Sequence, residues 1–202
     1  YDRQDDFSDG TIDTAKWLSA LDGDAYVTEG SGGLTLACVT DEDVASLESV
    51  FLESYVDFQA SYRIGRVAAS SDSRAAFSVG VRIDEDNRFD ISVVKSGSAR
   101  KGRGALSLVI KSIIGGRTVV DVTLDESISK SVSNGLLRIV RHKGKAVVLL
   151  DWKVLGSYPC FVAPGKVFFE TSTTESAKIV ATISHDSRRP CVDLEEQTRS
   201  SP

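Results

Sequence analysis

Apolar and polar residues alternate along most of the chain, which is the pattern of β-strands with one buried face. Within residues 54–64 apolar side chains occupy every second position, and residues 74–83 repeat the pattern. The polar residues 84–87 follow, and they predict a hairpin turn into a further strand at residues 89–93. Two long strands and a hairpin are therefore expected in this part of the chain.

The same pattern continues through the second half of the chain. Gly115 and Gly116 both tolerate a positive φ, so they predict a tight turn between strands at residues 105–114 and 117–124. Further strands are predicted at residues 135–141, 146–152, 166–170 and 177–184. About a dozen strands and almost no helical periodicity indicate two packed antiparallel sheets or a closed barrel.

The chain has 202 residues, enough for one sizeable core, and we expect a single domain over residues 1–186. Residues 187–202 are polar and show no periodicity, so they are expected to form a tail or a linker. No apolar run approaches the ~18 residues that a membrane span requires, so membrane insertion is not expected.

Residues 5–17, DDFSDGTIDTAKW, resemble the opening of many concanavalin A-like lectin/glucanase (LamG-like) domains, which follow a D-x-F-x-x-G-x-L-D-x-x-x-W pattern. Residues 77–89 and 137–151 are similar to later hairpins of that family. The resemblance implies an all-β fold, a two-sheet antiparallel sandwich of the jelly-roll type, in which Phe7 and Trp17 anchor the first segment. Lectins, glycan hydrolases, lyases, adhesion modules and viral structural parts all use this fold, so the fold alone does not choose a function.

Glycan hydrolysis on this fold, in its best-known retaining family, uses an E-x-D-x-E strand whose alternate carboxylates share one face. The similar acidic runs 41–43 and 84–86 are typical of solvated turns, and the run 193–196 lies in the expected tail. No G-x-S-x-G motif is present to indicate a serine nucleophile. We therefore expect no catalytic residues.

Exposed aromatic residues and basic residues are the candidate ligand-binding groups. Trp152, Tyr158 and Tyr26 are candidates for stacking under a neutral sugar. Lys101 and Arg103 lie in residues 95–117, which hold six basic residues and no acid, and they are candidates for binding an acidic glycan; a solvated loop is the alternative. The net charge of -5 and the absence of aromatic residues from this stretch argue against nucleic acid.

A structural calcium ion is a further expectation from the family resemblance. Its ligands would be Asp6, Asp9 and Asp186, because calcium prefers carboxylate oxygens; ordinary surface acids are the alternative. The three cysteines are widely spaced and odd in number, which favours buried reduced thiols over a disulfide framework.

These patterns together predict a non-catalytic glycan-binding or adhesion module of a larger surface or virion-associated protein. Its expected location is extracellular, on a cell surface or on a virion. One alternative is a structural module that contacts neighbouring protein subunits without a sugar ligand. The other is a divergent glycoside hydrolase or polysaccharide lyase.

Overall fold

The computed structural model describes residues 5–30, 32–40, 42–53, 56–69, 73–96, 106–124, 132–174 and 177–189, with the backbone alone at Arg66 and at residues 185–189. Within these ranges the chain forms fourteen β-strands and no helix. The strands are β1 (Trp17–Asp22), β2 (Tyr26–Gly30), β3 (Gly33–Cys38), β4 (Val44–Ser49), β5 (Val56–Ala69), β6 (Arg74–Asp84), β7 (Asn87–Ser96), β8 (Leu106–Ile114), β9 (Arg117–Leu124), β10 (Asn134–His142), β11 (Lys145–Leu150), β12 (Lys153–Pro159), β13 (Lys166–Thr173) and β14 (Ala177–Arg189).

The strands form two seven-stranded sheets. Sheet I has the order β1-β4-β13-β6-β7-β8-β9, and sheet II has the order β12-β11-β10-β5-β14-β3-β2. Every pairing is antiparallel. This confirms the all-β, two-sheet antiparallel sandwich that the sequence predicts. The described residues include no helix that is long and apolar enough to cross a membrane.

The core lies between the two sheets and is built from the alternate apolar residues. Phe58 on β5 and Phe77 and Phe89 on sheet I are all completely buried. Since the side chains of a strand alternate between its two faces, the residues that flank each of these phenylalanines in the sequence point outward. The alternation in the sequence therefore identified which face of each of these strands is buried.

An aromatic cluster anchors the first segment to the sandwich. The ring of Phe169 on β13 lies 6.3 Å from Phe7, 5.6 Å from Trp17 and 5.6 Å from Phe58, measured between centroids. The Trp17 Nε1 donates a hydrogen bond of 3.0 Å to Asp5 Oδ2, so the one polar atom of the buried indole is satisfied. This confirms the anchoring role expected for Phe7 and Trp17.

Asp43 differs from the solvated turn that the sequence predicts for its acidic run, because it is completely buried. Its carboxylate accepts hydrogen bonds from the backbone of Asp24, Val39 and Thr40 and from the Thr40 hydroxyl, at 2.8–3.0 Å. Burial alone would raise the pKa of Asp43, but the hydrogen bonds from Thr40, Asp24 and Val39 hold it below its ordinary value. The carboxylate thus joins the loop between β3 and β4 to the turn between β1 and β2.

Strand β14 pairs with β5 as far as Arg189. The strand therefore continues past residue 186, and the boundary between the domain and its expected tail stays a prediction. The residues from 190 onward lie outside the described part of the chain.

Replacing Phe169 by alanine should destabilise the protein, because the removed ring leaves a cavity among three other buried rings. The expected loss is about 3–5 kcal/mol in the free energy of unfolding. Leu18→Ala, an exposed position on β1, is the control and should change stability by less than about 0.5 kcal/mol. Urea unfolding followed by circular dichroism measures both, and equal effects would contradict the central position assigned to Phe169.

Asp43→Asn should lower stability at neutral pH and should change how stability depends on pH. The folded-state pKa of Asp43 lies below its ordinary value of 3.8, so its stabilising contribution is present above pH 3.8 and is lost as the pH falls through the folded-state value. The difference in unfolding free energy between the wild type and the variant should therefore shrink on acidification. Urea unfolding at pH 7, 4 and 3 measures it, and a constant difference would contradict this account.

Candidate functional site on the outer face of sheet I

Strand β7 presents polar side chains on the outer face of sheet I. Arg88, Asp90 and Ser92 alternate with apolar residues that belong to the core, so all three project away from sheet II. Ser92 donates a hydrogen bond of 2.9 Å to Asp90 Oδ2, and its oxygen lies 2.7 Å from that of Ser78 on β6. A strand that contributes to the core on one side thus carries a polar row on the other.

Two arginines link three carboxylates across four strands, and we call this group the sheet I charge network: Glu48, Arg82, Arg88, Asp90 and Glu170. Arg88 donates from Nε to Asp90 Oδ1 at 2.8 Å and from Nη2 to Glu170 Oε1 at 3.0 Å. Arg82 donates from Nη1 to Glu170 Oε2 at 2.9 Å and from Nε to Glu48 Oε1 at 3.0 Å. Each guanidinium therefore bridges two carboxylates that lie on different strands.

Phe168 forms the floor of this network. It is completely buried but lies outside the main core, and the guanidinium carbons of Arg82 and Arg88 lie 4.7 and 4.6 Å from its ring centroid. In the register of the sheet, Gly80 stands between Phe168 and Asp90. A Cβ at Gly80 would collide with the backbone of β7, so glycine is required there and leaves space for Arg88 to reach across β6. The arginines thus cover an apolar surface while they pair with the acids.

The electrostatic environment of Arg88 follows from these contacts. Burial alone would lower its pKa, but Asp90 and Glu170 together raise it through charge attraction and hydrogen bonding. The guanidinium therefore stays charged and holds both carboxylates in one arrangement.

A depression with a cavity volume of about 230 Å³ opens beside the charge network, and we call it the sheet I depression. Its lining residues are Arg74, Ala76, Ser78, Glu85, Arg88, Asp90, Ser92, Lys111, Ile113, Glu170 and Ser172. Most of these residues are charged or carry hydroxyl groups. The lining therefore suits a polar ligand with many hydroxyl groups.

Glu85 brings a solvent-accessible carboxylate to this depression. It lies in the turn between β6 and β7 and its side chain is 81% exposed. Its Oε1 is 3.8 Å from Arg82 Nη1, the atom that also binds Glu170 Oε2 at 2.9 Å. Because both distances meet at one nitrogen, these two carboxylate oxygens are at most about 7 Å apart, so the depression holds two neighbouring carboxylates, the pair of groups that glycoside hydrolysis uses.

The aromatic candidates from the sequence do not lie at this depression. Trp152 is 63% exposed, as expected, and lies in the turn between β11 and β12. Tyr158 is partly buried on β12, and Tyr26 is exposed on β2. Strands β12 and β2 are the two opposite edges of sheet II, so Tyr26 is separated from the other two. Their role in ligand binding stays a prediction.

The predicted basic site falls mostly outside the described part of the chain. Lys101 and Arg103 belong to residues 97–105, which the structure does not describe. Lys111 comes from the same basic stretch, and it lines the sheet I depression. The stretch therefore contributes one positive charge to the candidate site, and binding of an acidic glycan by Lys101 and Arg103 stays a prediction.

The structure describes the side chains of two of the three calcium ligands expected from the family resemblance. Asp6 Oδ1 accepts hydrogen bonds from the backbone and hydroxyl of Ser8, and Asp9 Oδ1 accepts one from Thr11. The side chain of Asp186 is not described. No group of three or more His, Cys, Asp or Glu residues that could hold a metal ion occurs in the described residues. Calcium binding stays a prediction.

Two of the three cysteines lie inside the protein as free thiols. Cys38 and Cys160 are both buried and neither forms a disulfide. Burial raises the pKa of Cys38, and it raises that of Cys160 to about 11. A thiol with such a pKa is protonated at neutral pH, so Cys160 is a structural residue and not a nucleophile. Cys191 lies outside the described residues.

The sequence analysis missed the acids at the centre of this site. Arg88, Asp90 and Ser92 are polar residues at alternate positions of β7, and Asp90 is an acid within a strand whose other face is apolar. This polar row within an alternating strand was the available signal. Glu170, the partly buried acid that shares Arg88 with Asp90, comes from β13. It lies 82 residues from Arg88 in the sequence, and only β6 separates β13 from β7 in the sheet. No local motif could have revealed that partner.

No protein-family model and no curated protein matches the sequence. Solved structures do match. A β-glucanase of Bacillus licheniformis superimposes with a TM-score of 0.68 at 11% identity, over 94% of this chain and 98% of that chain. The catalytic domain of an endo-1,3-β-glucanase (laminarinase) from Thermotoga petrophila gives a TM-score of 0.62 at 12% identity, over 94% and 97%. LamA from Zobellia galactanivorans, in complex with laminaritriose and laminaritetraose, gives a TM-score of 0.65 at 11% identity, over 92% of this chain and 96% of that chain.

These comparisons show the fold: the chain is a concanavalin A-like jelly-roll sandwich of the kind found in β-glucanases. They also contradict the expectation of a non-catalytic glycan-binding or adhesion module. Structures that match the chain over nearly its whole length include glucanases and a transglycosylase, which favours the alternative of a divergent glycoside hydrolase.

Arg88→Met should strongly destabilise the protein, because it leaves Asp90 and Glu170 close together without their shared counter-ion. Breaking a largely buried ion pair of this kind costs about 3–5 kcal/mol. Arg117→Met is the control, since Arg117 is exposed on β9, and it should change stability by less than about 0.5 kcal/mol. Chemical unfolding at pH 7 measures both, and an Arg88→Met variant as stable as the wild type would contradict the importance of the network.

Proposed function

We propose that this chain is a divergent glycoside hydrolase that acts on a β-glucan bound in the sheet I depression. One observation carries the proposal: Glu85 and Glu170 line the same depression, and their nearest bridged carboxylate oxygens are at most about 7 Å apart. The fold supports it, because solved structures of β-glucanases share the sandwich over nearly its whole length. A glucan is favoured as substrate because one neighbour was solved with laminaritriose and laminaritetraose.

The two carboxylates take different roles because their surroundings differ. Glu85 lies in a turn at the open side of the depression, where it can reach a bound glycosidic oxygen, so it is assigned as the proton donor to that oxygen. Glu170 is held by Arg82 and Arg88, so its negative charge is positioned to stabilise the positive charge that develops at the anomeric carbon. The glycosidic bond breaks as the leaving sugar takes the proton. Water then completes the new hydroxyl at the anomeric carbon and returns a proton to Glu85.

The remaining polar groups of the depression suit the binding of sugar hydroxyls. Asp90 and Ser92 lie side by side on β7, and Ser172 adds a hydroxyl from β13. Lys111 adds a donor on the opposite side, from β8. Arg88 binds both Asp90 and Glu170, so a bound sugar hydroxyl can replace one of its two carboxylate contacts while the other remains.

Glu85→Gln should reduce the rate of glucan hydrolysis by about 10²- to 10⁴-fold, since it removes the proton donor while keeping its shape. Glu170→Gln should have an effect of similar size, because the charge that stabilises the transition state is lost. The measurement is release of reducing ends from laminarin and from mixed-linkage β-glucan at several pH values.

Asp86→Asn is the matched control, since Asp86 is an exposed acid in the same turn but does not line the depression. It should hydrolyse glucan at the wild-type rate. Thermal unfolding of each variant separates a lost catalytic group from a lost fold. A wild-type protein that releases no reducing ends from any β-glucan would refute the proposed function, and full activity of Glu85→Gln would refute the assigned proton donor.

A further inference from the structure

Trp152 is held at the surface by a turn with an uncommon backbone. Asp151 and Trp152 have φ values of 47° and 68°, a region that favours glycine. A large aromatic residue at such a position costs free energy, which a glycine would avoid. Trp152 nevertheless occupies this position, and it is the one exposed tryptophan among the described residues. Strain that is retained at an exposed side chain indicates a role outside the fold itself.

The turn is fixed to the neighbouring strand by two hydrogen bonds. The backbone nitrogen of Asp151 donates to the carbonyl of Leu136 at 2.9 Å, and the Leu136 nitrogen donates to Asp151 Oδ1 at 2.8 Å. The backbone that carries Trp152 therefore has a defined position, although the side chain is largely exposed. A turn that is already fixed loses little backbone entropy when a ligand binds.

Polar groups surround the tryptophan ring on the outer face of sheet II. The guanidinium carbon of Arg138 lies 5.7 Å from the Trp152 ring centroid. Asp57 binds the same guanidinium through both carboxylate oxygens, one of them at 2.6 Å from Arg138 Nε. In the register of the sheet, Arg138 pairs with Leu149 and Leu149 pairs with the exposed Val154. The surface thus combines a flat ring, a short apolar edge and a paired charge.

We propose that Trp152, Arg138, Asp57 and Val154 form a second glycan-binding surface, which takes a neutral β-glucan chain by stacking a sugar ring on Trp152. A sugar presents C–H groups on its face and hydroxyls at its edge, and this surface offers an aromatic plane beside a hydrogen-bonding ion pair. The charge of Arg138 is balanced by Asp57, which favours a neutral glycan over an acidic one.

This surface is distinct from the sheet I depression. Arg138 and Asp57 alternate with core residues of sheet II, so they lie on the opposite side of the sandwich from Asp90 and Glu170. A long glucan chain bound here would be held near the protein without occupying the depression. Binding at two faces raises the effective concentration of the polymer at the catalytic face.

Tryptophan fluorescence offers a direct test, because the chain has two tryptophans and Trp17 is buried. In a Glu85→Gln background, which lacks the proposed proton donor and keeps the polymer intact, titration with laminarin should shift the emission of Trp152 to shorter wavelength. It should also protect Trp152 from quenching by acrylamide. Trp152→Gly should weaken glucan binding by roughly tenfold or more, as measured by affinity electrophoresis.

Four further measurements make the test decisive. Trp152→Gly should unfold at the same temperature as its parent or at a higher one, since glycine relieves the positive φ. Leu52→Ala, which removes an exposed apolar side chain elsewhere, should bind glucan like its parent. Arg138→Gln should weaken glucan binding, and binding of the parent should be insensitive to added salt because the ligand is neutral.

Unchanged glucan affinity of Trp152→Gly would overturn the proposal, as would the absence of any fluorescence change with glucan. Tight binding of an anionic polysaccharide instead of laminarin would contradict the proposal that the ligand is a neutral glycan. Release of reducing ends tests the sheet I depression, whereas Trp152 emission tests this surface. The two proposals therefore fail separately.

Discussion

The strict alternation of side chains along extended strands is the constraint on which the rest of this structure depends. Strand β7 shows its effect most clearly, since one face supplies Phe89 to the core and the other carries Arg88 and Asp90. A shift of one residue in the register would exchange the two sets and bury the charges between the sheets. The packing of the core therefore also determines the position of the candidate site.

Hydrogen-bonded ion pairs connect neighbouring strands on the outer face of sheet I. The two arginines each bind two carboxylates and also cover Phe168, so charge pairing and apolar contact reinforce one another. Burial makes such a network costly to break, because a carboxylate that loses its arginine stays poorly solvated. The same rigidity suits a site in which charges must already be in position before a substrate binds.

The two proposed glycan surfaces use different physical means. The sheet I depression relies on charges held in place by neighbouring strands, and its exposed acid, Glu85, comes from a turn. The sheet II surface relies on an aromatic ring that a strained turn holds at the surface. Opposite faces of one sandwich can therefore bind the same kind of polymer without competing for space.

The sequence by itself determined the all-β fold class, strands β5–β11, β13 and β14, and the buried face of the strands that form the core, whereas strands β1–β4 and β12 were not predicted. The prediction that Phe58, Phe77 and Phe89 are buried is confirmed. It was possible because the alternation of apolar and polar residues has a period of two and can be recognised within a single strand. Exposure of Trp152 was predicted on similar grounds, from its place at the end of a hairpin. Only the tertiary structure could place Glu170 beside Arg88, or show that Asp43 is buried. These contacts join strands and loops that are far apart in the chain. They depend on the order of the strands in the sheets, and no local sequence pattern encodes that order.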